Sequence, residues 1–292
     1  MNLMISSLSL SSRKFYAHAL SSFRQFVVVH LLKDNWFPAS VWSISTYVAF
    51  MINKGLAPST VSSHLSVLSF FHKIVGCQDP TSTFFVKKMV IGANKLYKTV
   101  DHRSPISIEL LRKLVDSTDY VSKSSYESLL FKSLYILMFH AFLRIGEVTS
   151  SVNNILFSNV QVTAQSVSIT FQKFKHHSGF PIVISIPFSG NRYCPVLLTA
   201  AYLVQRGNFP GPFFAFPGSV PIQPSYFNSV FASSLAWAKC SDPNIKPHSF
   251  RIGAATWAAS KGFSDNQIQV MGRWKSSAFK KYIRIQTFNI SL

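Results

Sequence analysis

Apolar and polar residues alternate with the period of a helix along the first third of this chain. Apolar positions recur over 13–32 and again over 41–52, which predicts two amphipathic helices. Gly55 stops the second of them. Pro58-Ser59-Thr60 opens a third, whose apolar positions include Val61, Leu65, Leu68, Phe71 and Val75, and Gly76 closes it. A fourth helix is expected over 80–97. Four short helices in under a hundred residues predict a compact bundle over 1–98.

A basic stretch follows, Lys98-Thr99-Val100-Asp101-His102-Arg103-Ser104-Pro105, and 99–105 is expected to link to a second domain over 106–292. There Ser107 is placed to cap a helix over 107–116. A long apolar helix over 126–142 ends at Leu143-Arg144-Ile145-Gly146-Glu147. The runs 167–171 and 182–186 read as a β-hairpin, joined by a basic turn over 173–179 that carries Lys173, Lys175, His176 and His177. A helix is expected over 196–206, then a loop over 209–224, rich in Pro, Gly and Phe. Beyond Pro247 the pattern is helical again, broken at Gly262 and Gly272. No internal repeat is visible. The pattern predicts a mainly α chain with a small β-sheet or hairpin: an N-terminal helical bundle, then a mixed α/β domain.

Composition adds a partner class. The chain has 292 residues, of which 48% are hydrophobic and 27 are Phe, enough to fill the cores of two domains. Against 29 Lys and Arg stand 10 Asp and Glu, a net charge of +19. A chain this basic attracts polyanions, because neutralising phosphates releases their counterions. Nucleic acid leads, although a ribosomal or membrane-surface protein fits charge alone equally well. Cys77, Cys194 and Cys240 are widely spaced, which argues against a disulfide framework or a cysteine-rich zinc site and for a reducing, intracellular setting. The most apolar helical stretch, 129–143, is interrupted by Lys132 and His140. A membrane span needs about 20 mainly apolar residues, so a buried core helix is expected instead. The start, MNLMISSLSLSSRKF, has no charged opening followed by a long apolar run and does not read as a signal peptide.

Candidate chemistry lies at element ends in the second half. Arg144 and Glu147 follow the apolar helix, Lys173 and Lys175 sit at the hairpin tip, and His248 and Arg251 form an HxxR pair at a helix start. Trp274 and Tyr282 lie eight positions apart. Breaking a phosphodiester requires a nucleophile, cations on the non-bridging oxygens and an acid for the leaving oxygen. Guanidinium groups grip phosphate oxygens in a forked geometry. Lysine can protonate a leaving alkoxide, and histidine can accept a phenol proton or donate to the phosphate. A phenol, with a reference pKa of about 10, depends on such neighbours.

The spread Arg144 (in LRIGEV), Lys175 (in FKHHSG), His248-x-x-Arg251 (in HSFRIGAAT), Gly272-Arg273-Trp274 and Tyr282 (in YIR) resembles the tyrosine recombinase and phage integrase family. It is most similar to eukaryotic mobile-element members, such as the recombinases of DIRS-like retrotransposons and Cryptons. The segment LAPSTVSSHLSVLSFFHK looks like that family's core-binding domain, so the resemblance covers most of the chain. It implies that Arg144 and Arg251 clamp a DNA phosphate, Glu147 supports the first of them, and Lys175 is the general acid. It further implies that His248 and Trp274 contact the phosphate and that Tyr282 forms a 3′-phosphotyrosyl link. His176, His177, Lys173, Arg273 and Lys275 become candidates for DNA contact. The resemblance implies double-stranded DNA as partner, a tetramer on DNA from chains that associate weakly in solution, a nuclear location in a eukaryotic host, and no cofactor or metal. Two features depart from the pattern. Ten residues follow Tyr282, where many members carry a longer tail that docks on a neighbour, so tail exchange is not expected. The spacing from Trp274 to Tyr282 is one shorter than in many bacterial members, as is common in the mobile-element group.

Each motif alone has an ordinary reading. An LRxGE at a helix end can be a paired cap, HxxR a routine helical pair, Lys173 and Lys175 a solvated turn, Trp274 a core aromatic, and Tyr282 a surface ring among Lys280, Lys281 and Arg284. His176 and His177 lack further ligands at metal spacing and read as loop residues. The choice of Lys175 over Lys173 stays open. Three other functions also stay open: a non-catalytic DNA-binding protein of mobile-element origin, a basic RNA-associated structural protein, and a type IB topoisomerase.

Overall fold

The structure is a computed structural model that describes residues 2–97, 101–150, 153–172 and 180–284. The chain forms two compact units, Met1–Asp101 and His102–Leu292.

The first unit is helical: α1 (Asn2–Ser6), α2 (Leu10–His30), α3 (Val41–Asn53), α4 (Pro58–Ile74), a 3-10 turn (Pro80–Ser82) and α5 (Phe84–Leu96). Serine hydroxyls set the starts, since Ser9 accepts from the N–H of Ser12 and Ser40 from that of Ser43. Pro58 occupies the first turn of α4, where no N–H is needed. The core is aromatic and aliphatic, with Phe23, Phe26, Ile44, Tyr47, Val48, Leu68 and Val86 buried. The Tyr47 hydroxyl shares a buried 3.0 Å hydrogen bond with His64 Nδ1, which satisfies both polar atoms inside that core.

The second unit is built on α7 (Ser125–His140), whose side chains are buried on most sides, which is why its sequence is strongly apolar with Lys132 and His140 as partly exposed interruptions. It packs against α6 (Ile108–Val121), α9 (Pro195–Arg206) and α11 (Ser249–Ser260). Between these lie the one-turn α8 (Ile145–Val148) and an antiparallel sheet ordered β1 (Val160–Val162), β2 (Ser166–Phe171), β3 (Ile182–Pro187). The β2–β3 register pairs Ser166 with Pro187 and Phe171 with Ile182, so the hairpin expected from the sequence is present. Val167, Ile169 and Phe171 alternate into the core. The unit is completed by β4 (Ala215–Phe216), β5 (Val220–Pro221), α10 (Pro224–Trp237), α12 (Asp265–Met271) and a terminal 3-10 helix (Ser277–Tyr282).

Two expectations need correction. The first helix of this unit runs to Val121, beyond position 116, with Ser107 capping it through the N–H of Leu110 at 3.1 Å. The segment 209–224 is not all loop, because β4 and β5 pair across a 3-10 turn. Its turn carbonyls are gathered by one buried guanidinium: Arg206 donates to the carbonyls of Gly207, Phe209, Pro212 and Phe213. Among the described residues, no helix is long and apolar enough to cross a membrane.

Candidate active site

Three stretches far apart in sequence meet in the second unit. α7 ends at His140, and Phe142 then adopts a left-handed backbone with φ of 52°. That turn leads directly to Arg144, the residue preceding α8. Glu147, one turn on, accepts from the Arg144 backbone N–H at 2.8 Å and from its Nη1 at 3.1 Å. Glu147 is nearly buried, while Arg144 keeps 28% of its side chain exposed. One face of that guanidinium is therefore held and another is open to a ligand.

α11 supplies His248, just before its first residue, and Arg251 in its first turn. Arg251 is 1% exposed. Its guanidinium donates to the carbonyl of Phe142 through Nη1 and to that of Gly272 through Nη2, the latter at 2.8 Å. It also lies 4.4 Å from the centre of the Trp274 ring. Trp274 can take this position because residue 272 is glycine. A Cβ added there would lie 1.6 Å from Trp274 Cζ3.

The terminal 3-10 helix delivers Tyr282. Its ring centre lies 5.1 Å from that of His248 and 5.3 Å from that of Trp274. Thr256 on α11 fixes the segment, donating to the Tyr282 carbonyl at 3.1 Å and accepting from the Arg284 N–H at 3.0 Å. His248, Arg251, Trp274 and Tyr282 thus share one neighbourhood, with Arg144 beside it. Lys275 is exposed. Lys173, Lys175, His176 and His177 fall in 173–179, outside the described residues.

The structure assigns Arg273 a place at odds with DNA contact. Its side chain is 0% exposed. A left-handed backbone, φ 54°, turns it inward, where Nη2 meets Glu147 Oε2 at 2.8 Å and the Phe142 carbonyl at 3.2 Å. The guanidinium carbon sits 3.6 Å from the centre of the Phe171 ring. A run reading Arg-Trp-Lys looks like surface in sequence. The buried partner, an acid 126 positions upstream, becomes visible only in the fold.

The electrostatics favour an anion. Arg144, Arg251 and Arg273 crowd together, and among the described residues Glu147 is the one carboxylate that hydrogen-bonds with this group. Burial, with Arg144 and Arg273 nearby, pushes Arg251 down to about 9. Burial likewise pushes Arg273 down to about 10, against the pull of Glu147. Both remain cations at neutral pH. A tetrahedral oxyanion beside Arg144 and Arg251 would offset the excess charge and replace lost solvation. Among the described residues, no group of three or more His, Cys, Asp and Glu is placed to hold a metal ion. Thr256 escaped the sequence reading. Its only signal there is a hydroxyl inside the small, apolar run Gly253-Ala254-Ala255-Thr256-Trp257-Ala258.

No protein-family model matches this sequence, and no curated protein matches it. Solved structures do share its fold. A lambda integrase dimer bound to a COC′ core site superposes with a TM-score of 0.64 at 15% identity, over 99% of this chain and 96% of that one. The integrase of transposon Tn1549, in complex with a circular intermediate DNA, gives 0.62 at 11% identity, over 96% and 91%. The XerH site-specific recombinase, in a post-cleavage complex with a palindromic difH substrate, gives 0.61 at 12% identity, over 84% and 69%. The chain therefore has the tyrosine recombinase fold, mainly helical with a small antiparallel sheet.

Proposed function

We propose that this protein is a site-specific DNA recombinase or integrase that breaks and rejoins strands through Tyr282. The observation that carries the proposal is the convergence of Arg251, Trp274, His248 and Tyr282 around one point, with Arg144 beside it. In this reading Arg144 and Arg251 hold the non-bridging oxygens of one DNA phosphate, and Trp274 adds its ring N–H. The Tyr282 oxygen attacks phosphorus as His248 takes the phenol proton. The bond to the 5′-oxygen breaks, and Lys175 protonates that oxygen. A 3′-phosphotyrosyl ester and a free 5′-hydroxyl result. A 5′-hydroxyl from a partner duplex then attacks the ester, so the phosphodiester is restored and Tyr282 is released. Two strands are cut in each of two duplexes, which requires four nucleophiles and hence four chains on DNA.

The fold shared with DNA-bound integrases and recombinases supports this reading, as does the net charge of +19. The eight-residue step from Trp274 to Tyr282 supports the eukaryotic mobile-element branch. Positions 1–98 are then the core-binding domain and 106–292 the catalytic domain, joined by 99–105. The test is incubation with a pool of duplexes carrying one nick and a randomised centre, where the fragment released on cleavage diffuses away. A protein–DNA adduct that survives denaturing electrophoresis is expected. Binding without an adduct would leave a DNA-binding protein without strand exchange. Relaxation of supercoiled plasmid by the monomer would favour a topoisomerase.

A further inference from the structure

We propose that Arg273 is a positioning residue of this site: it shares the charge of Glu147 so that Arg144 stays available to the phosphate. The inference rests on the reading of the site as a phosphodiester-cleaving centre. Glu147 Oε1 accepts from Arg144 Nη1 at 3.1 Å, while Oε2 accepts from the Arg144 backbone N–H and from Arg273 Nη2, both at 2.8 Å. With Arg144 alone as partner, the carboxylate would neutralise it as a closed pair. With a second guanidinium on the far oxygen, the carboxylate orients Arg144 without cancelling its charge.

Simple packing does not account for Arg273. A wholly buried guanidinium is expensive, and an apolar side chain of similar volume often does as well or better in such a place. Its Nε has no hydrogen-bond partner among the described residues, so the burial is not fully compensated. What the residue gains is connection. Its Nη2 and Arg251 Nη1 both donate to the Phe142 carbonyl, turned to them by the left-handed backbone before Arg144. The tripeptide Gly272-Arg273-Trp274 therefore reaches both exposed and buried arginines. The Gly272 carbonyl and the Trp274 ring hold Arg251, and the Arg273 side chain holds Arg144 through Glu147. The carboxylate is the shared element, so the effect of Arg273 should disappear once Glu147 is uncharged.

The experiment uses inorganic phosphate as probe, read as the rise in melting temperature over chloride at equal ionic strength. Adduct formation on nicked DNA is followed in parallel. Wild type is expected to show a phosphate-dependent rise, and Arg144→Ala to abolish it. Arg273→Met should lose most of that rise and slow adduct formation up to about a hundredfold at saturating DNA, the scale of a misplaced catalytic group. Its half-saturating DNA concentration should not change. In a Glu147→Gln background, adding Arg273→Met should produce no further loss. That pair of variants also decides the matter if Arg273→Met alone fails to fold. A wild-type phosphate rise in folded Arg273→Met would overturn the proposal, as would an additional loss in the Glu147→Gln background or no rise in wild type. Absence of adduct from wild type would instead overturn the strand-exchange reading, and the phosphate data would still decide the role of Arg273.

Discussion

Thr256 ties Tyr282 to the helix that carries Arg251: its hydroxyl donates to the Tyr282 carbonyl at 3.1 Å and accepts from the Arg284 N–H at 3.0 Å. The bond acts on the backbone of the segment that aims the phenol. Thr256→Val keeps the shape and removes the donor. The expected result is an adduct rate reduced about fivefold, the value of one ordinary hydrogen bond. Thr256→Ser should restore it. Equal rates in all three proteins would show that the latch does not set the aim of Tyr282.

Arg144 and Arg251 should separate in stability while agreeing in activity. Each alanine variant is expected to cut cleavage about 10²- to 10³-fold, as when a preorganised charge is removed from a transition state. Arg251 is buried and serves the carbonyls of Phe142 and Gly272, so Arg251→Ala leaves both without that donor and should cost about 2 kcal/mol or more. Arg144 is partly exposed, and Arg144→Ala should cost less than about 1 kcal/mol. Denaturant unfolding beside single-turnover cleavage checks both. Near-normal cleavage in the two variants would remove the clamp assignment.

His140 predicts a pH dependence of stability. It sits at the end of α7 with its ring 6.0 Å from that of Trp257, and burial pushes it down to about 4. Glu109, Arg112 and Lys261 line the same groove, but burial is the cause of the shift. Below its ordinary value near 6.5 the unfolded chain takes up the proton first, while the folded protein resists until about 4. Stability is therefore complete above the ordinary value and falls as pH drops through that window, by on the order of 3 kcal/mol at most. His140→Leu should flatten this part of the acid limb in thermal melts. Parallel slopes in the two proteins would count against it.

Lys175 lies outside the described residues, and its assignment can be tested by chemistry alone. Lys175→Ala should slow cleavage of ordinary DNA by roughly 10²- to 10⁴-fold, the usual worth of a general acid. Replacing the bridging 5′-oxygen with sulfur should restore the rate, since a thiolate leaves without a proton. If Lys173→Ala shows that rescue instead, the acid is Lys173.

What the sequence revealed depended on how local each signal was. The long helices were legible from apolar spacing, and the HxxR motif stands at the helix start where the sequence put it, whereas Arg144, read at the end of the apolar helix, lies beyond the end of α7 and just before the short α8. α10 was not legible, because Ser234 interrupts its buried apolar face, while its exposed side carries serines and an asparagine but no charge to mark it as solvent-facing. β1 spans three residues and β4 and β5 two each, too short for an alternating pattern to register. Arg273 stood among the candidates for DNA contact. Its burial follows from a backbone angle and a distant acid, neither of which spacing encodes.

The most direct test is to find which atom of the protein carries the DNA. Wild-type adduct from a nicked duplex is digested with protease, and the DNA-linked peptide is sequenced by mass spectrometry. A single modified residue, Tyr282, joined to a 3′-phosphate, is expected, with no linked peptide from Tyr282→Phe although that variant still binds DNA. A link at any other side chain, a link to a 5′-phosphate, or an adduct persisting in Tyr282→Phe would contradict that expectation.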